Sequence, residues 1–145
     1  MTQRSRFDLF PVSVHLFFRR GDSVLLLRRQ GTGFCDGMYG VPAGHVTQAE
    51  SVMQAAAREA AEEVGLVVDP KALRVVGTMY RCSTEARIDF FLEAGTWSGE
   101  PRNLEPHKCD ALAWFRLPLL PQNTIPYLRR ALTTVERPPW FEEYL

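Results

Sequence analysis

The sequence predicts a single mixed α/β domain spanning residues 1–145, and three observations carry the prediction. A chain of 145 residues is the size of one compact domain with one hydrophobic core. Its residues are 46% hydrophobic and 11% aromatic, which supplies that core and sets the chain apart from disordered or low-complexity sequences. Short segments rich in β-branched, aliphatic and aromatic residues alternate with stretches of helix formers. No internal repeat or linker-like tract separates them, so strands and helices belong to one layered structure.

In chain order, residues 12–18 and 24–29 read as strands, and Arg19-Arg20-Gly21-Asp22-Ser23 between them supplies the turn of a β-hairpin. Residues 30–44 hold five glycines and one proline with little periodicity, a loop of the length that usually carries function. Residues 50–64 are dense in helix formers, and Gly65 follows as a stop. Residues 73–80 and 86–94 read as two further strands, the second alternating in part around Arg87 and Asp89. An irregular stretch, 95–110, leads to a short strand at 111–116 (ALAWFR). A final helix is expected over 123–132, with Asn123 or Thr124 as N-cap and Pro126 in its first turn. The tail 137–145 is aromatic and acidic and receives no element.

Charge and cysteine usage exclude several classes. Seventeen Lys and Arg offset 17 Asp and Glu, whereas binding a nucleic-acid polymer over many phosphates normally leaves a clear basic excess. A small phosphorylated ligand needs only a local arrangement of charge and stays open. Cys35, Cys82 and Cys109 are widely spaced, which argues against a disulfide framework or zinc site and suits a reducing compartment. The apolar runs are too short to cross a bilayer, and residues 1–10 mix Arg4, Arg6 and Asp8 with apolar residues, unlike a signal peptide. A cytoplasmic protein with no membrane partner is expected. There is no G-x-x-x-x-G-K-S/T and no G-x-S-x-G motif.

The first helix carries the chemistry. Glu59, Glu62 and Glu63 stand at i, i+3 and i+4, within an arc of about 100° on one face. Met53, Ala57, Ala60 and Val64 occupy a separate apolar arc centred roughly 130° away. Like charges at this spacing destabilise an ordinary helix by roughly 0.2–0.5 kcal/mol per pair, and near the C-terminus they also oppose the macrodipole. Either the face is solvated and partly offset by Arg58, or a hard divalent cation relieves the repulsion. Mg²⁺ is the natural candidate for the second reading, with Mn²⁺ as its substitute. Spacing alone leaves both open.

The whole segment 44–66, GHVTQAESVMQAAAREAAEEVGL, resembles the Nudix box: G, five residues, E, seven residues, R-E, an aliphatic, any residue, E-E, any residue, G, an aliphatic. Gly44, Glu50, Arg58, Glu59, Glu62, Glu63 and Gly65 fill every specified position, with Ala60 and Leu66 at the aliphatic ones. A chance match in a chain of this length is on the order of 10⁻⁶ from background residue frequencies. The lead-in Tyr39-Gly40-Val41-Pro42-Ala43 is similar to the family's aromatic-x-x-P-G-G, with Tyr39 for the usual Trp and Ala43 for Gly.

The resemblance implies a Nudix-type αβα sandwich with a mixed β-sheet, and hydrolysis of a nucleoside diphosphate linked to another moiety. By position, Glu59, Glu62 and Glu63 would be metal ligands, with Gly44 offering its carbonyl and Glu105 an additional ligand or base. Arg58 would hold the carboxylates in place and Glu50 would tie down the loop. The general base stays open among Glu105 and the box glutamates. Arg28 is expected to turn toward substrate phosphate and Arg29 away, because strand alternation sends them to opposite faces. Asn123 sits where MutT-like members read a purine edge, although an N-cap role also explains it. Tyr39, Phe34, Trp97 and Trp114 are candidates for base stacking or core. His15, His45 and His107 are isolated and read as structural or exposed. A (deoxy)nucleoside triphosphate is the leading substrate, then a nucleotide-sugar or ADP-ribose. A catalytically silent nucleotide-binding module is the rival class. The partner is a small-molecule nucleotide, and a homodimer is compatible with the sequence.

Overall fold

The computed structural model describes residues 8–145; residues 1–7, which include most of the segment read as lacking a signal peptide, lie outside the described residues. Eight strands and two α-helices follow in the order β1 (Val12–Arg20), β2 (Ser23–Arg29), β3 (Tyr39–Gly40), β4 (Ala43–His45), α1 (Val52–Val64), β5 (Leu73–Cys82), β6 (Ala86–Ala94), β7 (Cys109–Arg116), α2 (Pro126–Thr133) and β8 (Trp140–Tyr144). The sheet is mixed. β1 pairs with β6 in parallel along one edge, and β6 continues antiparallel to β5. Its other edge is divided: β4 pairs antiparallel at Ser13 to His15, while β2 pairs only at Arg19 and Arg20. Beyond the hairpin β2 leaves β1 and pairs with β3 and β7 instead.

Alternation along β1 builds two cores. Val14, Leu16 and Phe18 pack with Ala55, Ala56, Ala60 and Val64 of α1. Phe17 turns the other way, toward Leu128, Ala131 and Leu132 of α2. The helices thus lie on opposite faces, as the αβα sandwich requires. The buried stripe of α1 includes Ala55 and Ala56, whereas Met53 and Ala57 of the expected arc are only half-buried.

Two expectations are corrected. The second helix begins at Pro126, three residues later than read, and its N-cap is Ile125 without a side-chain cap. The residue before a proline is pushed out of the helical region, and Ile125 is accordingly extended (φ −55°, ψ 127°). The unplaced tail is a strand: β8 pairs in parallel with β5 through Gly77↔Trp140. A Cβ at Gly77 would lie 2.1 Å from the Trp140 ring, so this glycine makes room for the indole that fastens the tail. Among the described residues no helix is long and apolar enough to cross a membrane, and the three cysteines are free.

Candidate active site

The phase of α1 is fixed at both ends. Ser51 accepts a hydrogen bond from the Gln54 N–H while the Gln54 side chain accepts from the Ser51 N–H, a capping box. At the other end Gly65 adopts the left-handed conformation (φ 69°), where its N–H meets the carbonyls of Ala60 and Ala61. Glu59 and Glu63 are thereby set against β4 and Glu62 is left exposed.

Arg58 organises this face. Its Nε and Nη2 donate to Glu50 at 3.0 and 2.7 Å, its Nη1 to Glu59 at 2.8 Å and to Glu62 at 3.2 Å, and its Nη2 also to the His45 carbonyl at 3.0 Å. Glu50 in turn accepts from the Thr47 N–H at 3.0 Å. Helix, loop and β4 are tied through one guanidinium, and those hydrogen bonds hold the Glu50 carboxyl down to about 2.

Beside this brace lie two carboxyls in a different state. Glu63 accepts from the Ala43 N–H at 3.2 Å but is pushed up to about 9, first by burial and then by the charge of Glu59, with Glu105 adding to it. Burial raises Glu59 as well, against the pull of Arg58. The Glu59 carboxylate fills the space beside Gly44, where a Cβ would lie 2.1 Å from its Oε1. Any larger residue would expel it.

These groups face a cleft of about 770 Å³ that also takes in Glu105, Arg29 and Phe34. Glu105 reaches it from the loop before β7, its Oε2 3.5 Å from Lys108 Nζ. The sequence-predicted carboxylates therefore converge from α1 and a loop about forty residues away.

The predicted substrate contacts do not converge with them. Arg28 is turned from the cleft and pairs with Asp110 at 2.7 Å, its guanidinium 5.9 Å from the Tyr39 ring. Its neighbour Arg29 lines the cleft, donating to the Phe34 carbonyl at 2.7 Å and lying 5.4 Å from the Phe34 ring. Alternation holds, but the face open to the cleft is the one that carries Leu27 and Arg29. Tyr39 packs edge-on against Phe115 at 5.1 Å, outside the cleft lining. Asn123 neither caps α2 nor lines the cleft: its Nδ2 donates to the Gly37 carbonyl at 2.8 Å, and its own carbonyl accepts from the Tyr39 N–H. Trp97 and Trp114 stack on each other at 6.2 Å against the α1-side core.

A second charged cluster on the cleft went unread in the sequence. His15 Nε2 meets Asp89 Oδ1 at 3.0 Å, Arg81 Nε donates to Asp89 Oδ2 at 2.7 Å, and the Arg81 guanidinium lies 3.7 Å from the Tyr127 ring centroid. Exposures are 4% for His15, 7% for Arg81, none for Asp89 and 8% for Tyr127. Burial works to raise Asp89, yet the hydrogen bonds from His15 and Arg81 hold its carboxyl below the usual range. The sequence signal for it is weak: His15 stands amid the apolar run of β1, and Asp89 between Ile88 and Phe90 of β6.

A hard cation fits the donor chemistry, which is all oxygen: Glu59, Glu62, Glu63, Glu105 and the Gly44 carbonyl. Glu59 is cradled at Gly44, and an ion there would relieve the two carboxyls that burial and neighbouring carboxylates raise. Among the described residues no three acidic, imidazole or thiol groups are already gathered around one point, because Arg58 draws Glu59 and Glu62 to itself.

Comparison with known proteins agrees with the box. The NUDIX domain family model matches residues 9–134. The NAD-capped RNA hydrolase NudC of Stutzerimonas stutzeri is 30% identical over 109 residues, covering 75% of this chain and 37% of that protein, so the chain spans little more than a third of this relative's length. The MutT Nudix hydrolase of Burkholderia pseudomallei superposes with a TM-score of 0.80 at 30% identity, over 89% of this chain and 100% of that one. An ADP-ribose pyrophosphatase of Streptococcus suis shares the fold alone, with a TM-score of 0.60 at 19% identity over 90% and 98% of the two chains. With a complete box, a matching family model and the αβα sandwich in place, the chain belongs to the Nudix hydrolase superfamily.

Proposed function

We propose that the protein is a divalent-metal-dependent hydrolase that cleaves a pyrophosphate bond in a nucleoside diphosphate derivative, with a (deoxy)nucleoside triphosphate as substrate. The observation that carries this reading is the Glu59–Glu63 pair beside Gly44, raised first by burial and then by neighbouring carboxylates, on a cleft that also holds Glu105 and Arg29. Mg²⁺ or Mn²⁺ on Glu59, Glu62, Glu63, Glu105 and the Gly44 carbonyl would supply phosphate neutralisation and an acidified water. Arg29 meets the polyphosphate from β2, the role that the resemblance to MutT-like proteins assigns to an arginine there and that was expected of Arg28. Arg58 keeps Glu59 and Glu62 oriented without touching substrate. Glu59, Glu62, Glu63 and Glu105 are the carboxylates on the cleft available to take the proton of the attacking water.

A dinucleotide diphosphate such as NAD is the second reading, favoured by the 30% identity to a NAD-capped RNA hydrolase. A screen for metal-dependent release of phosphate or pyrophosphate, or of nucleoside monophosphate, decides between them across nucleoside triphosphates, NAD, ADP-ribose, nucleotide-sugars and dinucleoside polyphosphates. The triphosphates are expected to turn over fastest, and Glu62→Gln should lose nearly all activity. Binding without turnover across the panel would instead make the chain a nucleotide-binding module.

A further inference from the structure

The strongest unexplained feature is one atom. His15 Nδ1 is buried and has no hydrogen-bond partner among the described residues, yet His15 lines the cleft. A buried polar atom left unpaired forfeits its hydration with nothing in return, so its retention asks for a partner. The rest of the side chain is firmly placed. Its Nε2 is engaged by Asp89, which Arg81 grips from the other side; its ring stacks on Phe91 at 4.9 Å and meets Tyr127 edge-on at 5.8 Å. An ionised carboxylate only accepts, so Nε2 is the donor to Asp89, and the tautomer that makes this bond leaves the lone pair at Nδ1. Asp89 and Arg81 thus act as positioning residues that fix which nitrogen accepts.

Val41, Ile125, Tyr127 and Leu128, side chains of the α2-side core, form an apolar wall of the same cleft that His15 lines. The carboxylates and Arg29 belong to the phosphate chemistry, so this wall is left for the other half of the substrate. We infer that it seats a nucleobase, and that His15 Nδ1 accepts a hydrogen bond from a ring N–H or amino group of that base. The site is thereby selective for bases that offer a donor. This rests on the reading of the cleft as a nucleotide site, and it adds the residue that reads the base.

Two substitutions separate the two functions of the ring. Gln at position 15 can still reach Asp89 from its terminal amide but removes the acceptor at the Nδ1 position; Asn keeps an acceptor oxygen near Nδ1 and gives up Asp89. The probes are ATP, GTP, CTP, UTP and purine riboside triphosphate, which has neither amino group nor ring N–H on its base. The wild type should prefer its best common nucleotide over purine riboside triphosphate by about tenfold in kcat/KM, the size of one hydrogen bond to a buried group. His15→Gln should bring that ratio to within about twofold by raising KM for the common nucleotide, and His15→Asn should keep most of it. An unchanged ratio in His15→Gln overturns the assignment, as does a loss confined to kcat, which would place the imidazole in proton transfer. Should the wild type hydrolyse none of the panel, the triphosphate reading fails on its own and the hydrolase reading passes to NAD and ADP-ribose. Calorimetry of the corresponding monophosphates then decides the role of His15 by the same ratio, and equal affinities for wild type and His15→Gln overturn it.

Discussion

The two charged clusters on the cleft are built on opposite plans. Around Arg58 the carboxylates come from one helix and the loop that leads into it, and Glu62 retains 55% side-chain exposure. Around Asp89 the partners come from β1, β5 and α2, and every member is at least nine-tenths buried. In the first, excess negative charge is left over: Arg58 cannot satisfy four glutamates, and Glu59 and Glu63 are raised, first by burial and then by neighbouring carboxylate charge. In the second, one carboxylate is matched by one guanidinium and one imidazole, and only His15 Nδ1 is left over. Unbalanced charge at an accessible place serves binding of an ion and chemistry; balanced charge in the interior fixes geometry and must stay paired.

Asp89→Ala gives the largest effect and tests this division directly. It strands the Arg81 guanidinium in the interior, and breaking a buried pair from one side costs about 3–5 kcal/mol. Urea unfolding should show that loss. A variant within about 1 kcal/mol of wild type would mean that Arg81 finds water, and the second cluster would no longer be a structural pair.

Glu59→Gln is its counterpart in the first cluster. Turnover should fall at least about 100-fold, the scale seen when a metal site loses a supporting group. Stability should stay within about 1 kcal/mol, since the substitution removes a raised carboxyl next to Glu63 as well as a bond to Arg58. Gly44→Ala should act on the same carboxylate without touching its chemistry. The added Cβ meets Glu59 Oε1, so activity should drop about tenfold while a Glu59→Gln, Gly44→Ala double variant falls no further than Glu59→Gln alone. Additive losses would show that Gly44 serves something other than Glu59.

The contrast also explains what the sequence could disclose. The first cluster is periodic: Arg58, Glu59, Glu62 and Glu63 sit on one helix whose capping box and closing glycine fix their phase, so spacing alone puts them on one face. Hairpin, helix and strands were legible for the same local reason. His15 and Asp89 are 74 residues apart and meet only because β1 and β6 pair in parallel, a register that no local pattern encodes. Arg28 and Arg29 were correctly separated onto two faces, but which face opens to the cleft depends on β2 leaving β1 after the hairpin. Asn123 has the side chain of a cap, but Pro126 holds Ile125 extended and starts α2 beyond it, and the tail docks as a strand where Gly77 admits Trp140. Both are tertiary facts written in a single residue.

A loss of stability toward alkaline pH belongs to the first cluster. Glu63 has its folded value raised to about 9 by burial and by Glu59, from an ordinary 4.5. Between those values the folded protein keeps a proton that the unfolded chain has released, so stability is highest near the lower value and declines as pH rises toward the upper one. Without divalent cation, the denaturant midpoint should therefore fall from about pH 5 to about pH 9, and Glu63→Gln should flatten that fall. Added Mg²⁺ should restore the midpoint most at the alkaline end, where a cation replaces the lost proton in balancing Glu59 and Glu63. Equal slopes for wild type and Glu63→Gln would show that the carboxyls do not hold a proton against the fold. The first cluster would then be balanced like the second, and its difference from the Asp89 network would reduce to exposure.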